Sequence, residues 1–148
     1  MKSRKLIIVI SVLLVLTGLF AFLHLNNRDV IPENALHVVY NDETYLIDID
    51  KLNYIEVSGS RFNGKGEEIK IDGLGVELKD IVNQLKVYHY SKVTLEADDS
   101  YNADVSADEV NENNKVYLLK DENSLRLVVF GDRNSKRSVS NIVKIRIH

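Results

Sequence analysis

A basic, hydroxyl-rich segment near the C-terminus carries the side chains best suited to chemistry in this chain. It comprises Arg133, Asn134, Ser135, Lys136, Arg137 and Ser138. Guanidinium and ammonium groups beside backbone N–H donors bind phosphate, sulfate or carboxylate. The segment therefore predicts an anion-binding loop. The alternative is a solvated basic loop that only offsets the charge of an acidic domain.

A glycine-rich segment could supply the opposite wall of such a site. Residues 59–66 hold three glycines together with Arg61, Asn63 and Lys65. Glycine permits positive φ and a close approach of the backbone to a ligand. The spacing is not the G-x-x-x-x-G-K-[ST] of a phosphate-binding P-loop. We predict a cleft between the two segments, the alternative being a flexible hairpin.

Acidic and histidine side chains lack the spacing of a metal site. The acidic stretch comprises Asp98, Asp99, Asn102, Asp104, Asp108 and Glu109. It has neither the central glycine nor the terminal glutamate of an EF-hand loop, which favours a solvated acidic face. The four histidines are scattered, and no G-x-S-x-G string indicates a nucleophilic serine. We predict no metal ion.

The elements that position these side chains are mostly short strands. The pattern predicts strands at residues 36–41, 44–49, 54–58, 68–72, 92–97, 101–105, 115–119, 125–130 and 142–147. A hairpin turn is expected at residues 41–43. In the last strand, Val143, Ile145 and Ile147 should share one face. Ser106, with Glu109 three residues on, predicts a capping box.

One good helix is predicted, at residues 76–86. Its apolar residues Leu78, Ile81, Val82 and Leu85 fall at i, i+3, i+4 and i+7, which forms a single stripe. One principal helix among many strands indicates a β-rich α+β domain.

The N-terminus predicts a transmembrane helix. Residues 6–23 carry no charge, and 18 residues at about 1.5 Å per residue span roughly the hydrocarbon core of a bilayer. Lys2, Arg4 and Lys5 precede this run, which sends the remainder of the chain out of the cytoplasm. No clean A-x-A-like cleavage site follows, which favours an uncleaved anchor over a removable signal. We predict an anchor at residues 1–23, a tether at 24–35 and a domain at 36–148.

Charge and composition narrow the partners of that domain. Residues 29–148 hold 15 basic and 22 acidic side chains, a formal charge of −7. Such a balance disfavours nucleic acid as a partner. The chain has no cysteine, so its core alone must hold the domain in an oxidising compartment.

Three strings, in order, resemble the sulfite-oxidase-like, molybdopterin-binding family. Residues 75–81, G-V-E-L-K-D-I, resemble its G-V-P-L-K-D-[IL]; residues 97–101, A-D-D-S-Y, resemble its S-D-G-Y-S. Residues 125–132, L-R-L-V-V-F-G-D, followed by K-R-S-V at 136–139, resemble L-R-L-V-V-P-G and K-S-V. The resemblance spans residues 36–148. It implies that fold, and it implies that Asp99, Tyr101 and the loop at 133–138 face the family's cofactor pocket.

The chain also departs from that family at the positions that hold molybdenum. The family's ligand is a cysteine thiolate, but the corresponding region, residues 57–61, has only Ser58 and Ser60. A serine hydroxyl is not deprotonated at neutral pH and is a poor substitute. Phe130 replaces the family's proline, and the 120–124 connection is short. The resemblance therefore implies a reduced member of the fold that is cofactor-poor or cofactor-free and lacks molybdenum.

These observations lead to one preferred function and two alternatives. We expect a membrane-anchored, extracytoplasmic binding domain, leaning away from an enzyme, whose cleft takes a small anion or an acidic group of a partner. The alternatives are an oxidoreductase subunit that retains molybdopterin or a similar pterin in an electron-transfer chain, and a structural partner domain of a membrane complex. The expected ligand-binding residues are Arg61, Asn63, Asp99, Tyr101, Asn134, Lys136, Arg137 and Ser138.

Overall fold

The computed structural model describes residues 2–26, 34–133 and 135–148, with the backbone alone at 2–6, 8, 9, 24–26 and 135. The chain separates into two compact units, Met1–Ile31 and Pro32–His148. The predicted tether at residues 24–35 lies largely outside the described residues.

The first unit is a helix, α1 (Lys2–Asn26). Its apolar side chains, among them Leu14, Val15 and Phe20, are exposed. A search of the described residues for a helix both long and apolar enough to cross a membrane finds none. The predicted anchor includes positions, such as Leu6, Ile8 and Val9, whose side chains lie outside the described part of the chain.

The second unit is a β-rich α+β domain, as the sequence predicts. Its described strands are β1 (Ala35–Tyr40), β2 (Glu43–Asp48), β3 (Ile55–Phe62), β4 (Glu68–Glu77), β5 (Lys92–Ala97), β6 (Asn102–Ser106), β7 (Val116–Asp121), β8 (Ser124–Val129) and β9 (Ile142–Ile147). The helices are α2 (Leu78–Gln84) and α3 (Ala107–Asn111), with 3₁₀ turns at Ile49–Lys51 and Ser135–Arg137.

The first sheet has the order β2-β1-β9-β5-β6 and joins the two ends of the domain. β1 and β9 run parallel to each other. All other neighbouring strands of this sheet pair antiparallel. Asn41 and Asp42 link β1 to β2 with φ of 49° and 64°. Two successive positive φ values suit a tight hairpin, and asparagine and aspartate tolerate them well. The predicted turn is confirmed.

A bulge changes which side of β9 faces the core. Glu96 pairs with Lys144 and Ala97 with Ile142, so Val143 is the extra residue on β9. Ile142 and Ile145 are therefore both buried, whereas Val143 is 40% exposed. The prediction that Val143 shares the buried face of Ile145 and Ile147 is wrong, because strict alternation fails at a bulge.

The second sheet, β3-β4-β7-β8, curls until its ends meet. The chain leaving β8 turns at Gly131, whose φ is +74°, and runs beside β3. Gly131 N–H donates to the carbonyl of Ser60, and Phe62 N–H donates to the carbonyl of Asp132, both at 2.8 Å. We call this nearly closed structure the curled sheet. The predicted 59–66 loop is therefore strand through Phe62.

The main core lies between the first sheet, the helices and the outer face of the curled sheet. Leu78, Ile81 and Val82 of α2 are buried there, as the helical stripe predicts. α2 begins at Leu78 rather than at residue 76, because β4 continues to Glu77 and pairs there with β7. The predicted capping box at Ser106 is confirmed at the start of α3.

The inner face of the curled sheet holds a smaller apolar cluster. Val57, Tyr117, Leu119 and Val128 are buried there, with Phe130 packed against them. A Cβ on Gly59 would come 2.5 Å from the Phe130 ring, which no side chain can do. Glycine at position 59 thus leaves the space beside β3 that the Phe130 ring occupies.

Candidate functional site

A cavity of about 230 Å³ opens in the curled sheet between β3, the stretch of β4 that does not pair with β7, and β8. Its lining includes Arg61 of β3 and Arg126 and Val128 of β8, with Ser138 beyond the 3₁₀ turn. Arg126 lies two residues from buried Val128, and Arg61 lies four residues from buried Val57, so alternation directs both arginines inward. Strands from distant parts of the sequence thus bring two guanidinium groups to one cavity, which we call the Arg61 cavity.

Both arginines have a buried nitrogen that lacks a hydrogen-bond partner. Within the described part of the chain, Nε of Arg61 and Nε of Arg126 are buried and make no hydrogen bond. Arg126 Nε lies 4.0 Å from Asp121 Oδ2, which is an ion pair beyond hydrogen-bonding range, and the Arg126 side chain as a whole is 41% exposed. A buried polar group left unpaired costs about 1–3 kcal/mol, and more when charged. Two such donors beside one cavity suit an acceptor that comes from outside the chain.

The remaining walls of the Arg61 cavity are mixed. Ile69 and Ile71 of β4 supply apolar surface, and Lys70 and Asp72 also contribute to the lining. Half-buried Ser138 adds a hydroxyl, which can donate to an anion or accept from a protonated group. The arrangement can therefore bind a compact oxyanion by charge and directed N–H donors.

Arg137, a predicted ligand-binding residue, is engaged within the fold. Its Nε lies 2.9 Å from Asp132 Oδ2, and its Nη1 lies 2.9 Å from both carboxylate oxygens of Glu109. The hydrogen bond to Asp132 is the main cause that raises the pKa of Arg137. Burial acts to raise the pKa of Glu109, but hydrogen bonds from Arg137 and from Ser106 N–H outweigh it and leave that pKa lowered. Arg137 thus fastens the loop that carries Ser138 to α3.

The family resemblance implied that Asp99 and Tyr101 face the cofactor pocket. In the structure, Tyr101 contacts the loop at residues 133–138, and Asp99 contacts Tyr101. Asp99 Oδ1 accepts a 2.9 Å hydrogen bond from Tyr101 N–H and shapes the turn between β5 and β6. The Tyr101 hydroxyl donates to the carbonyl oxygen of Lys136. Neither residue lines the Arg61 cavity. The structure therefore gives them contacts that position the loop.

Asn63 organises the β3–β4 turn. Its Oδ1 accepts hydrogen bonds from Lys65 N–H and Glu67 N–H, both at 2.9 Å, and its Nδ2 donates to Glu67 at 2.7 Å. Together with Lys65 and Arg133 it lines a second cavity, of about 510 Å³. Arg133 lies over the Phe62 ring at 5.5 Å. Asn134, another predicted ligand residue, lies outside the described residues.

The region that corresponds to the family's thiolate does not fit molybdenum. Residues 57–61 form part of β3, and Ser60 Oγ donates a hydrogen bond to Glu68. The space over Gly59 is occupied by the Phe130 ring. Neutral hydroxyls, one of them already bonded to a carboxylate, are not the soft anionic donors that the metal takes in this family. Among the described residues, no cluster of three or more His, Cys, Asp or Glu side chains could hold a metal ion.

Arg126 is the residue that sequence reasoning missed. The strand reads L-R-L-V-V, with Leu125 and Leu127 buried in the main core. A charged residue between two buried leucines points to the opposite face, and Val128 shows that this face is buried too. A cationic residue on a strand with both faces buried is the sequence feature that could have identified Arg126 as a candidate site residue.

The chain was also compared with known proteins. Neither the models of protein families nor the curated proteins gave a match.

Proposed function

We propose that this protein is a membrane-anchored, extracytoplasmic binding domain that takes a small anion, or an acidic group of a partner, in the Arg61 cavity. One observation carries the proposal: Arg61 and Arg126 line the same cavity, and each has a buried Nε without a hydrogen-bond partner in the described part of the chain. An anion would supply both missing acceptors and offset the repulsion between two like charges.

The proposed ligand is compact and multiply charged or at least bidentate. A guanidinium group presents N–H donors in a planar fork that matches carboxylate, sulfate and phosphate oxygens. The cavity, at about 230 Å³, has room for such a group but not for a large cofactor alongside it. We assign no catalytic residue to the site.

Membrane anchoring remains part of the proposal and rests on the sequence. Residues 6–23 are uncharged, and the basic residues Lys2, Arg4 and Lys5 precede them. Fusion of a reporter enzyme after His148, followed by protease protection in intact cells, tests the orientation. Protease-sensitive reporter outside the cytoplasm supports it, and a cytoplasmic soluble reporter contradicts it.

We also propose that the domain has a reduced sulfite-oxidase-like fold and binds no molybdenum. It is supported by the three ordered strings and by a donor set at residues 57–61 that does not suit the metal. Elemental analysis of the purified full chain should give no stoichiometric molybdenum. About one molybdenum per chain, or a pterin absorbance that copurifies with it, would favour the oxidoreductase alternative.

Calorimetric titration in non-ionic detergent tests the anion site. The probes are inorganic phosphate, sulfate and acetate. Arg61→Gln and Arg126→Gln should each weaken the tightest of the three by about tenfold or more, since each removes one charged donor group. Arg146→Gln is the matched control: it removes the same charge from an exposed residue of β9 that pairs with Glu96 at 2.8 Å.

The outcome separates the site from general charge effects. A change below about twofold for Arg146→Gln, with large losses for the two cavity variants, supports the proposal. Equal losses in all three variants, or no binding of any probe, contradict it. Copurification with one defined protein, without response to any anion, would favour a structural partner domain.

A further inference from the structure

A second surface lies between β2 and α2. A cavity of about 510 Å³ runs there. On the strand side its lining includes three consecutive residues, Leu46, Ile47 and Asp48. Since side chains alternate between faces, a cavity that touches three consecutive strand residues lies along the edge of the strand. We call this cavity the β2 groove.

The edge of β2 that faces this groove is free. β2 is the outermost strand of its sheet, and all six of its residues pair with β1 on the inner side. Across the described residues, no backbone hydrogen bond reaches its outer side. Natural edges are commonly protected by charged side chains, proline or a bulge; β2, with the sequence E-T-Y-L-I-D, carries charges only at its two ends and has no lysine, proline or bulge.

The opposite wall is one face of α2. Asp80, Ile81 and Gln84 line the groove from the helix, with Ile81 buried and the other two exposed. Leu46, which is 43% exposed, and half-buried Leu52 add apolar surface at the rim. A free strand edge beside a helix face is the arrangement in which an extended peptide adds a strand and places alternate side chains between strand and helix.

The charges of the groove select the occupant. Asp48 and Asp80 both line it, and Lys51, the cation among its described lining residues, is already paired with Asp48 at 3.1 Å. The Asp80 carboxylate has no hydrogen bond or ion pair within the described part of the chain. Residues 29–148 carry a formal charge of −7 in addition. A basic partner is therefore complementary, both at the groove and at longer range.

We propose that the β2 groove docks an extended, basic segment of a partner protein by strand addition to β2. The partner's backbone would pair with the outer edge of β2. Its basic side chains would lie near Asp80, and alternate apolar side chains would pack against Leu46 and Leu52. The groove shares no residue with the Arg61 cavity, so the two proposals stand independently.

Fluorescence polarisation with the full chain in non-ionic detergent tests this docking. The probe is a labelled eight-residue peptide of alternating lysine and valine. A peptide with glutamate in place of lysine should bind about tenfold more weakly or worse, because it loses the charge match. A peptide that is N-methylated at every residue keeps every charge but cannot donate a backbone hydrogen bond to a strand, and should likewise lose about tenfold.

Variants of the protein locate the contact. Asp80→Asn should weaken the basic peptide about threefold to fivefold, and Leu46→Lys about tenfold. Glu56→Gln, the matched control, removes the same charge from an exposed position on β3 and should change the affinity less than about twofold.

Three results would overturn the proposal. Equal binding of the N-methylated and unmodified peptides would show attraction by charge alone. Equal effects of Asp80→Asn and Glu56→Gln would place the contact elsewhere. A concentration-dependent dimer in light scattering, dissolved by Leu46→Lys, would assign the edge to a second copy of this chain instead.

Discussion

Tyr117 and Arg126 both project from the curled sheet toward its interior. The Tyr117 hydroxyl has hydrogen-bond partners there, whereas Arg126 Nε has none among the described residues. The Tyr117 hydroxyl lies 3.0 Å from Glu77 Oε1 and 3.1 Å from Asn114 Oδ1, and Glu77 also binds Lys79 at 2.8 Å. Burial raises the pKa of Tyr117 to about 12, helped by Glu77. Arg126 Nε, by contrast, is buried without a hydrogen bond.

This difference separates a structural cluster from a candidate binding site. The closed network of Tyr117, Glu77, Asn114 and Lys79 joins side chains that already have partners, and it stabilises the packing of β4 against β7. Arginines with unmatched donors lower stability in the absence of a ligand, and that deficit is recovered when an anion binds. Apolar burial alone does not distinguish the two regions.

The largest expected effect concerns the Phe130 ring, which contacts Tyr117 at 5.3 Å between centroids and covers Gly59 near Arg61. Gly59→Ala should cost about 2 kcal/mol, because its Cβ would clash with that ring. Urea denaturation measures the loss. Gly73→Ala is the control: its Cβ would meet nothing nearer than Leu119 at 4.0 Å, so it should stay within about 0.5 kcal/mol of wild type.

A rescue tests the stated cause of that loss. Replacing Phe130 by leucine in the Gly59→Ala protein makes room and should recover part of the stability. If the double variant is less stable than the sum of the two single changes, the clash is not the reason.

A smaller loss of stability is expected when the closed network is disrupted. Tyr117→Phe removes the hydroxyl shared by Glu77 and Asn114 and should cost about 1 kcal/mol, with anion binding unchanged. Thermal unfolding with and without phosphate reports both quantities. Loss of the phosphate response in this variant would contradict the separation of the two regions.

At the Arg61 cavity we expect the change in the free energy of unfolding to have the opposite sign. Arg126→Leu removes a buried Nε that makes no hydrogen bond to the described residues, together with its 4.0 Å ion pair to Asp121, and should leave stability unchanged or raise it by up to about 1 kcal/mol, while abolishing the stabilisation by phosphate. A destabilisation as large as that of Tyr117→Phe would mean that Arg126 is structural, and the comparison would fail.

The smallest effect is a dependence on pH. Burial acts to raise the pKa of Glu77, but hydrogen bonds from Lys79, Tyr117 and Asn114 N–H outweigh it and lower that pKa below 4.5. The lowered pKa contributes stability that is complete above about pH 4.5 and is lost as pH falls through the lowered pKa. Glu77→Gln should therefore flatten the acid limb of a stability–pH curve, whereas Glu56→Gln should not. Identical curves for wild type and Glu77→Gln would exclude this role.

Local sequence patterns predicted much of the fold, whereas the ligand-binding residues stay a prediction. The Asn41–Asp42 turn, the Ser106 capping box and the apolar stripe of α2 depend on neighbours within a few residues, and all three are confirmed. Arg61 and Ser138 were predicted as site residues, and both line the same cavity. Arg137 was predicted as well, but the structure pairs it with Asp132 and Glu109, the latter 28 positions away along the chain. No sequence pattern specifies such partners.

By itself, the sequence determined the β-rich α+β class, the helical N-terminal segment, the acidic balance of the domain and the absence of a thiolate. These follow from composition and from periodicity over short windows, where the physical causes are local. Only the tertiary structure decided that β9 bulges at Val143, that the curled sheet closes through Ser60 and Phe62, and that Arg126 joins Arg61. Those features depend on which distant strands become neighbours, and pairing between strands is set by the packing of the whole domain rather than by any one segment.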